Sequence, residues 1–440
     1  MNRNKYGHKL RSEIRHREGN STRKSPIIGL AAVCLICLLM AASNVQAVGS
    51  GSQKGNAPGD GLSATLLPLR INSDFDMEFY DFTYGWIGDG TPNNPYIIDG
   101  NDSVFDAHGI GAAIFIGNAT IPITKSFIVT GWTILNCSSA SPQDVFNPGA
   151  GLVLYNCNGN INITGNHFSF SNYGAVARQC GPLLSMYNNT FSNDSGAGLL
   201  MIDTNGASLV GNTANGSQIG FALESSDSCQ LRRNNLMENK MGALLNHSSA
   251  NVLLENNCSF NTRIGIRLND SNGCLLQNNT CAFNLGTGSD EAGISILAGG
   301  SNNQIIGNSV RSNLQGILVQ QSPHTTIASN TVQGNSAIGI HTVGVYQIIS
   351  ENLCADNGEE SISAENGGNL LIENNTCSGS GILVSSATSP KLANNRLQGR
   401  EGLACWASAK ARSSGIGSRT AARREFRSPR ARAFRSGRTR

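Results

Sequence analysis

The chain has 440 residues, 51 of them Gly, with 14% charged and 6% aromatic side chains, which favours one long repeat array over two or three globular domains. Its net charge of +3 hides an asymmetry: residues 1–24 carry +6, residues 399–440 carry +10, and the body between them is therefore −13. An acidic body excludes nucleic acid as its partner, because phosphate contacts need clustered Lys and Arg.

In chain order, a basic region ends at Lys24 and an apolar run follows from Ile27 to Ala42. Val45-Gln46-Ala47 then has the small-x-small form of a signal-peptidase site. Residues 1–47 read as an export signal, cleaved after Ala47 or retained as an N-terminal anchor. The body is expected to be secreted or on the cell surface, touching membrane only through that segment if it is uncleaved. Residues 48–64 are rich in Gly, Ser and Pro and read as a linker. Residues 65–135 are apolar and off-period, as an N-terminal cap and first coils would be, since an open sheet edge recruits other strands.

Over 136–398 an internal period governs the pattern. Asn recurs at Asn166, Asn189, Asn212, Asn235, Asn257, Asn279, Asn308, Asn330, Asn352, Asn375 and Asn395, in steps of 23, 23, 23, 22, 22, 29, 22, 22, 23 and 20. An apolar residue usually stands two places later, as at Phe168, Phe191 and Val310, with Ser259 an exception. A second Asn often follows, at Asn172, Asn193, Asn239, Asn261, Asn284, Asn313 and Asn335. Gly then opens an alternating apolar segment, as in Gly220-Phe-Ala-Leu and Gly265-Ile-Arg-Leu. Three short strands per repeat cannot bury a face alone, but stacked coils bury a continuous core. The predicted fold is an all-β, right-handed parallel β-helix of about eleven or more coils. Stacked Asn amides both donate and accept, so a column of them can bond coil to coil.

Cys157 and Cys180 share a register one coil apart, as do Cys354 and Cys377, and are expected as buried free thiols rather than disulfides. The long step contains Leu285-Gly-Thr-Gly-Ser-Asp290-Glu291, a loop expected to project. Residues 399–440 are Arg-rich without period, a disordered cationic tail or an aberrant stretch.

At Gly85–Gly100 the sequence becomes recognisable. Trp86, Gly88, Gly90, Thr91 and Pro95-Tyr96-Ile97-Ile98, followed by Ile114–Asn118, resemble the cap segment of NosD-like β-helix proteins over about residues 66–398. These belong to the carbohydrate-binding and sugar-hydrolase (CASH) group of prokaryotic cell surfaces. The resemblance implies an exported β-helix, with sugar recognition or, for NosD itself, copper-reductase maturation as roles.

Chemistry has one candidate cluster. At the fifth position after each Gly, successive coils carry Asp203, Ser225, His247 and Asp270; the position before supplies Arg178, then Glu224, Asn246 and Asn269 further along, with Arg267 expected to point outward nearby. Asp203, His247, Asp270, Glu224 and Arg267 together suit acid–base work on a polysaccharide, with Ca²⁺ as a cofactor only if the protein is a lyase. The competing reading is a polar turn. No metal site is expected: the body's histidines, His108, His167, His247, His324 and His341, share no register. Sequons such as Asn118, Asn162 and Asn278 suit a surface protein. The sequence therefore favours an exported carbohydrate-binding, structural or adhesive module with a polysaccharide or cell-surface glycan as partner. The alternatives are a β-helix lyase or glycoside hydrolase, and a periplasmic accessory protein for copper enzyme maturation.

Overall fold

Bends set the architecture. At each bend one residue takes the left-handed backbone that Asn, Asp, Ser and Gly tolerate best, and the next residue turns its side chain inward. Arg233, Glu255 and Asn278, at φ of +52°, +58° and +55°, precede the buried Asn234, Asn256 and Asn279 in this way. The computed structural model describes residues 67–399 apart from 110, 140–143 and 145, and the backbone of 403–406 and 412–414. The expected export signal and linker lie outside the described residues, as does most of 399–440.

The short strands between bends stack in parallel, coil on coil. A 14-stranded sheet runs from Leu69–Ile71 to Leu403–Trp406, through strands such as Ala197–Ile202, Ile219–Glu224 and Met241–Asn246. An 18-stranded sheet combines two further columns, because the long strands Tyr96–Asp106 and Phe127–Leu135 run through a corner and Phe127–Leu135 pairs with both. A six-stranded sheet continues one of these columns from Thr280–Ala282, after single bridges at Asn257 interrupt it. The result is the right-handed parallel β-helix predicted from the period. Beyond Gln398, Leu403–Trp406 and Arg412–Ser414 still pair with the coil below.

Inward residues form one continuous core, for example Leu199 and Met201 beside Phe221 and Leu223. The recurring Gly has a steric reason. A Cβ on Gly220 would meet the Gly242 carbonyl oxygen at 2.5 Å, and one on Gly242 would meet that of Gly265 at 2.6 Å. Only a residue without a side chain lets successive coils approach so closely.

The Asn ladder is real, but two of its rungs differ from the expected ones. The buried column is Asn166, Asn189, Asn212, Asn234, Asn256, Asn279, Asn308, Asn330, Asn352, Asn375 and Asn395. Asn235 and Asn257 stand one place further on, half-buried, and bond each other outside the core at 3.2 Å. The sequence has Asn-Asn doublets at 234–235 and 256–257, and side-chain alternation decides between the members. With Asn234 and Asn256 inside, the inward apolar residues two places on become Leu236 and Cys258, and the irregularity at Ser259 disappears. Each rung is fully used. Asn279 Nδ2 donates to the Leu253 carbonyl at 2.9 Å and to Asn308 Oδ1 at 3.0 Å, and its Oδ1 accepts from the Asn256 backbone N–H at 2.9 Å.

The second polar column is likewise shifted at its start: it runs Ser171, Asp194, Ser217, Asn239, Asn261, Asn284, Asn313, Asn335 and Asn357, so Asn172 and Asn193 lie beside it. The nine described cysteines are buried and unbridged, including stacked Cys354 and Cys377. A short helix, Asp74–Tyr84, begins at Ser73, whose side chain accepts from the Asp76 N–H, and ends at Gly85 with φ of +64°. It buries Met77 and binds the first coils through Asp74, which accepts from the Thr124 N–H at 2.8 Å.

Candidate functional site

Outward side chains of the 14-stranded sheet divide into two kinds. Where coils carry Gly265-Ile-Arg267-Leu or Gly293-Ile-Ser295-Ile, the outward residue is polar. From Val153 through Val176, Leu200, Ala222 and Leu244 the same column is apolar in five successive coils. Beside it run Tyr173, Ala197, Ile219 and Met241. Part of this surface, with Phe115, Tyr155 and Tyr173, forms an apolar cluster separate from the core. Val153, Val176, Ala197 and Ala222 are buried on this face, while Leu200, Ile219, Met241 and Leu244 are half-buried and leave a partly exposed apolar strip, an outward surface suited to binding.

Phe146 and the 285–291 segment lie over the sheet and bound this surface at its two ends. At one end Phe146 packs its ring on Phe115 and Tyr155, at centroid distances of 6.0 and 5.9 Å, and its carbonyl accepts from Arg70. At the other end the 285–291 segment folds back instead of projecting freely. Asp290 pairs with Arg267, Glu291 pairs with Arg263, and the Ser289 carbonyl accepts from Gln315 Nε2 at 2.8 Å. Between strands Ala150–Tyr155 and Ile264–Asn269 lie five inter-strand intervals, roughly 24 Å, along which the apolar side chains are buried near Phe146 and half-buried at Leu200, Met241 and Leu244. Burial raises the Tyr173 phenol above its ordinary value. The Arg267 guanidinium beside Asp290 holds that carboxyl below the usual carboxylate range.

The sequence-derived cluster lies along one long edge of this floor. Asp203, Ser225, His247 and Asp270 do stack, each donating its backbone N–H to the coil above, and each has φ between +43° and +48°. They are the left-handed residues of a bend, each followed by an inward hydroxyl: Thr204, Ser226, Ser248 and Ser271. Their polarity is accounted for by that role. His247 Nε2 lies 3.6 Å from Asp270 Oδ2, both well exposed. Glu224 aligns with Asn246 and Asn269 in register and accepts from Asn246 Nδ2 at 2.7 Å. Asp203 has no charged partner among the described ion pairs, and Arg267 is occupied by Asp290. The five residues therefore share an edge without converging on one point.

Further along the same sheet face, His341 lies 3.3 Å from Gln315 Oε1 and 3.4 Å from Glu365. Among the described residues no group of three or more His, Cys, Asp or Glu is placed to hold a metal ion. The apolar floor went unread in the sequence. Its signal is local: 198–202 and 243–245 are unbroken apolar runs, where a strand with one wet face would alternate.

The family model described as "Right handed beta helix region" matches residues 101–259 and 242–397. No curated protein matches the chain. Similar solved structures include the A-module of mannuronan C-5 epimerase AlgE6 from Azotobacter vinelandii, at 15% identity and TM-score 0.46, covering 78% of this chain and 98% of that one. The surface adhesin PfbA of Streptococcus pneumoniae is another, at 11% identity and TM-score 0.43, covering 74% and 90%. The periplasmic alginate epimerase AlgG is a third, at 13% and 0.38, covering 77% and 84%.

Proposed function

Because the chain belongs to the right-handed β-helix family, we propose that it is an exported surface protein that binds carbohydrate on the outer face of its 14-stranded sheet. The observation that carries this reading is the walled apolar floor, with Tyr155 and Tyr173 at one end. An aromatic ring with a polar tip suits a ligand that has both apolar faces and hydroxyls. Among the charged residues of the rim, Asn193, Ser225, Asn246 and Asn269 supply uncharged side chains able to donate and accept. The basic and apolar start of the chain supports export.

The test is a panel of polysaccharides offered to the purified protein, with binding and chain cleavage read in the same samples. Binding without new chain ends, weakened at least tenfold in Tyr173→Ala, is the expected outcome. The 3.6 Å approach of His247 to Asp270 favours one other reading, a polysaccharide-cleaving enzyme. Product formation that disappears in Asp270→Ala would establish it in place of the binding module.

A further inference from the structure

We propose that the walled floor takes an uncharged polysaccharide, laid across the coils and gripped at both ends by exposed phenylalanines. This rests on the carbohydrate reading above and adds the class of ligand.

Charge carries the first part. Both arginines at the far wall are consumed, Arg263 by Glu291 and Arg267 by Asp290. Along the floor and at its near end the remaining cations are Arg70, over the Phe115 ring, Arg178 and Lys240, set apart from one another, against the carboxylates of Asp203, Glu224, Glu238 and Asp270. The body as a whole carries −13. A polyanion approaching this face meets repulsion and no cluster of unpaired cations. An uncharged chain loses nothing to that field and gains from the apolar floor.

Backbone strain carries the second part. The bend that opens each strand of this sheet uses Asn193, Gly216, Glu238, Ser312 and Gly334 in several coils, but Phe170, Phe260 and Phe283 in others, at φ of +54°, +58° and +57°. A bulky side chain in the left-handed region is an outlier that costs stability. All three side chains are exposed, 59%, 51% and 40%, and none of them enters the core. Phe260 and Phe283 stack at 5.1 Å with planes 9° apart, forming a flat platform beside the 285–291 wall. Phe170 stands at the opposite end, just before Tyr173. Four coils separate Phe170 from Phe260, roughly 19 Å. Rings held open at both ends of an apolar floor fit a ligand several sugar units long, stacking on them by its apolar faces.

The full chain is titrated with uncharged polysaccharides (dextran, galactomannan, a mixed-linkage glucan) and anionic ones (alginate, pectate), at low and at physiological salt. The expected result is binding of an uncharged polymer, insensitive to salt. Leu200→Asn and the double variant Phe260→Asn, Phe283→Asn should each weaken it at least tenfold. Asn suits the left-handed bend, so the double variant should melt at or above the parent temperature. Fragments too short to reach both rims should bind at least tenfold more weakly. Salt-sensitive binding of an anionic polymer, with the variants unaffected, would overturn the assignment of ligand class while leaving the carbohydrate reading intact. No binding to any polysaccharide would overturn that reading itself. A self-association of the parent abolished by Leu200→Asn would mean that the face belongs to a second copy of the chain.

Discussion

Asp194 stands in a column where most other coils place Asn or Ser, and the difference is one proton. The Asn residues of that column donate to the coil below, as Asn239 does to the Ala214 carbonyl at 2.9 Å and Asn261 to Leu236 at 3.1 Å. Asp194 Oδ1 accepts from the Ser171 N–H at 3.0 Å, but its Oδ2 is buried without a partner. Burial raises its pKa from 3.8 to about 8. The folded state then keeps a proton that the unfolded chain releases, and stability falls as pH rises from about 4 to about 8. Asp194→Asn supplies the donor at every pH. It should raise stability at pH 8 by on the order of 1–3 kcal/mol, with the gain shrinking toward pH 4. Denaturation midpoints of both proteins at the two pH values measure this, and equal midpoints at pH 8 would refute it.

At the scale of elements, the 285–291 segment is held to the sheet by two ion pairs rather than by a strand ladder. Asp290 is depressed below 3.8 chiefly by its bond from Arg267. A depressed carboxylate contributes above its unfolded value and loses that contribution as pH falls through its folded value. The wall should therefore loosen as pH drops below 3.8, while the coils beneath remain ordered. Both partners retain some exposure, so the energy involved is modest and local. Amide exchange over residues 286–290 should accelerate at acid pH in the native protein and be fast at all pH values in Arg267→Gln. Acceleration spread evenly over the neighbouring strands would show that the segment is not an independent unit.

At the scale of the whole molecule, the described coils form a stack in which each touches only its neighbours, so whole coils are interchangeable in a way that residues are not. Ile219 pairs with Met241, which makes Ile219–Lys240 one complete coil. Removing those residues joins Gln218 to Met241 with every column in phase and should leave a cooperative β-rich fold. Removing one residue fewer puts inward side chains outside in the joining coil and should lower the melting temperature far more. Circular dichroism and thermal melts of the two deletions distinguish the outcomes, and equal behaviour would contradict the stacked register.

Period and composition alone determined the parallel β-helix, because a repeat too short to bury its own face must stack, and stacking forces like residues into columns. They also determined that Asp203, Ser225, His247 and Asp270 share a column. What they left open was which member of each Asn-Asn doublet faces inward, since a one-residue choice depends on the bend and on partners one coil away. Asn234 and Asn256 were settled only by those bonds. The walled apolar floor was also a tertiary decision. The unbroken runs at 198–202 and 243–245 mark strands apolar on both faces, but only the fold sets Val176, Leu200 and Leu244 in one outward column between Phe146 and Asp290, which lie far apart in the chain.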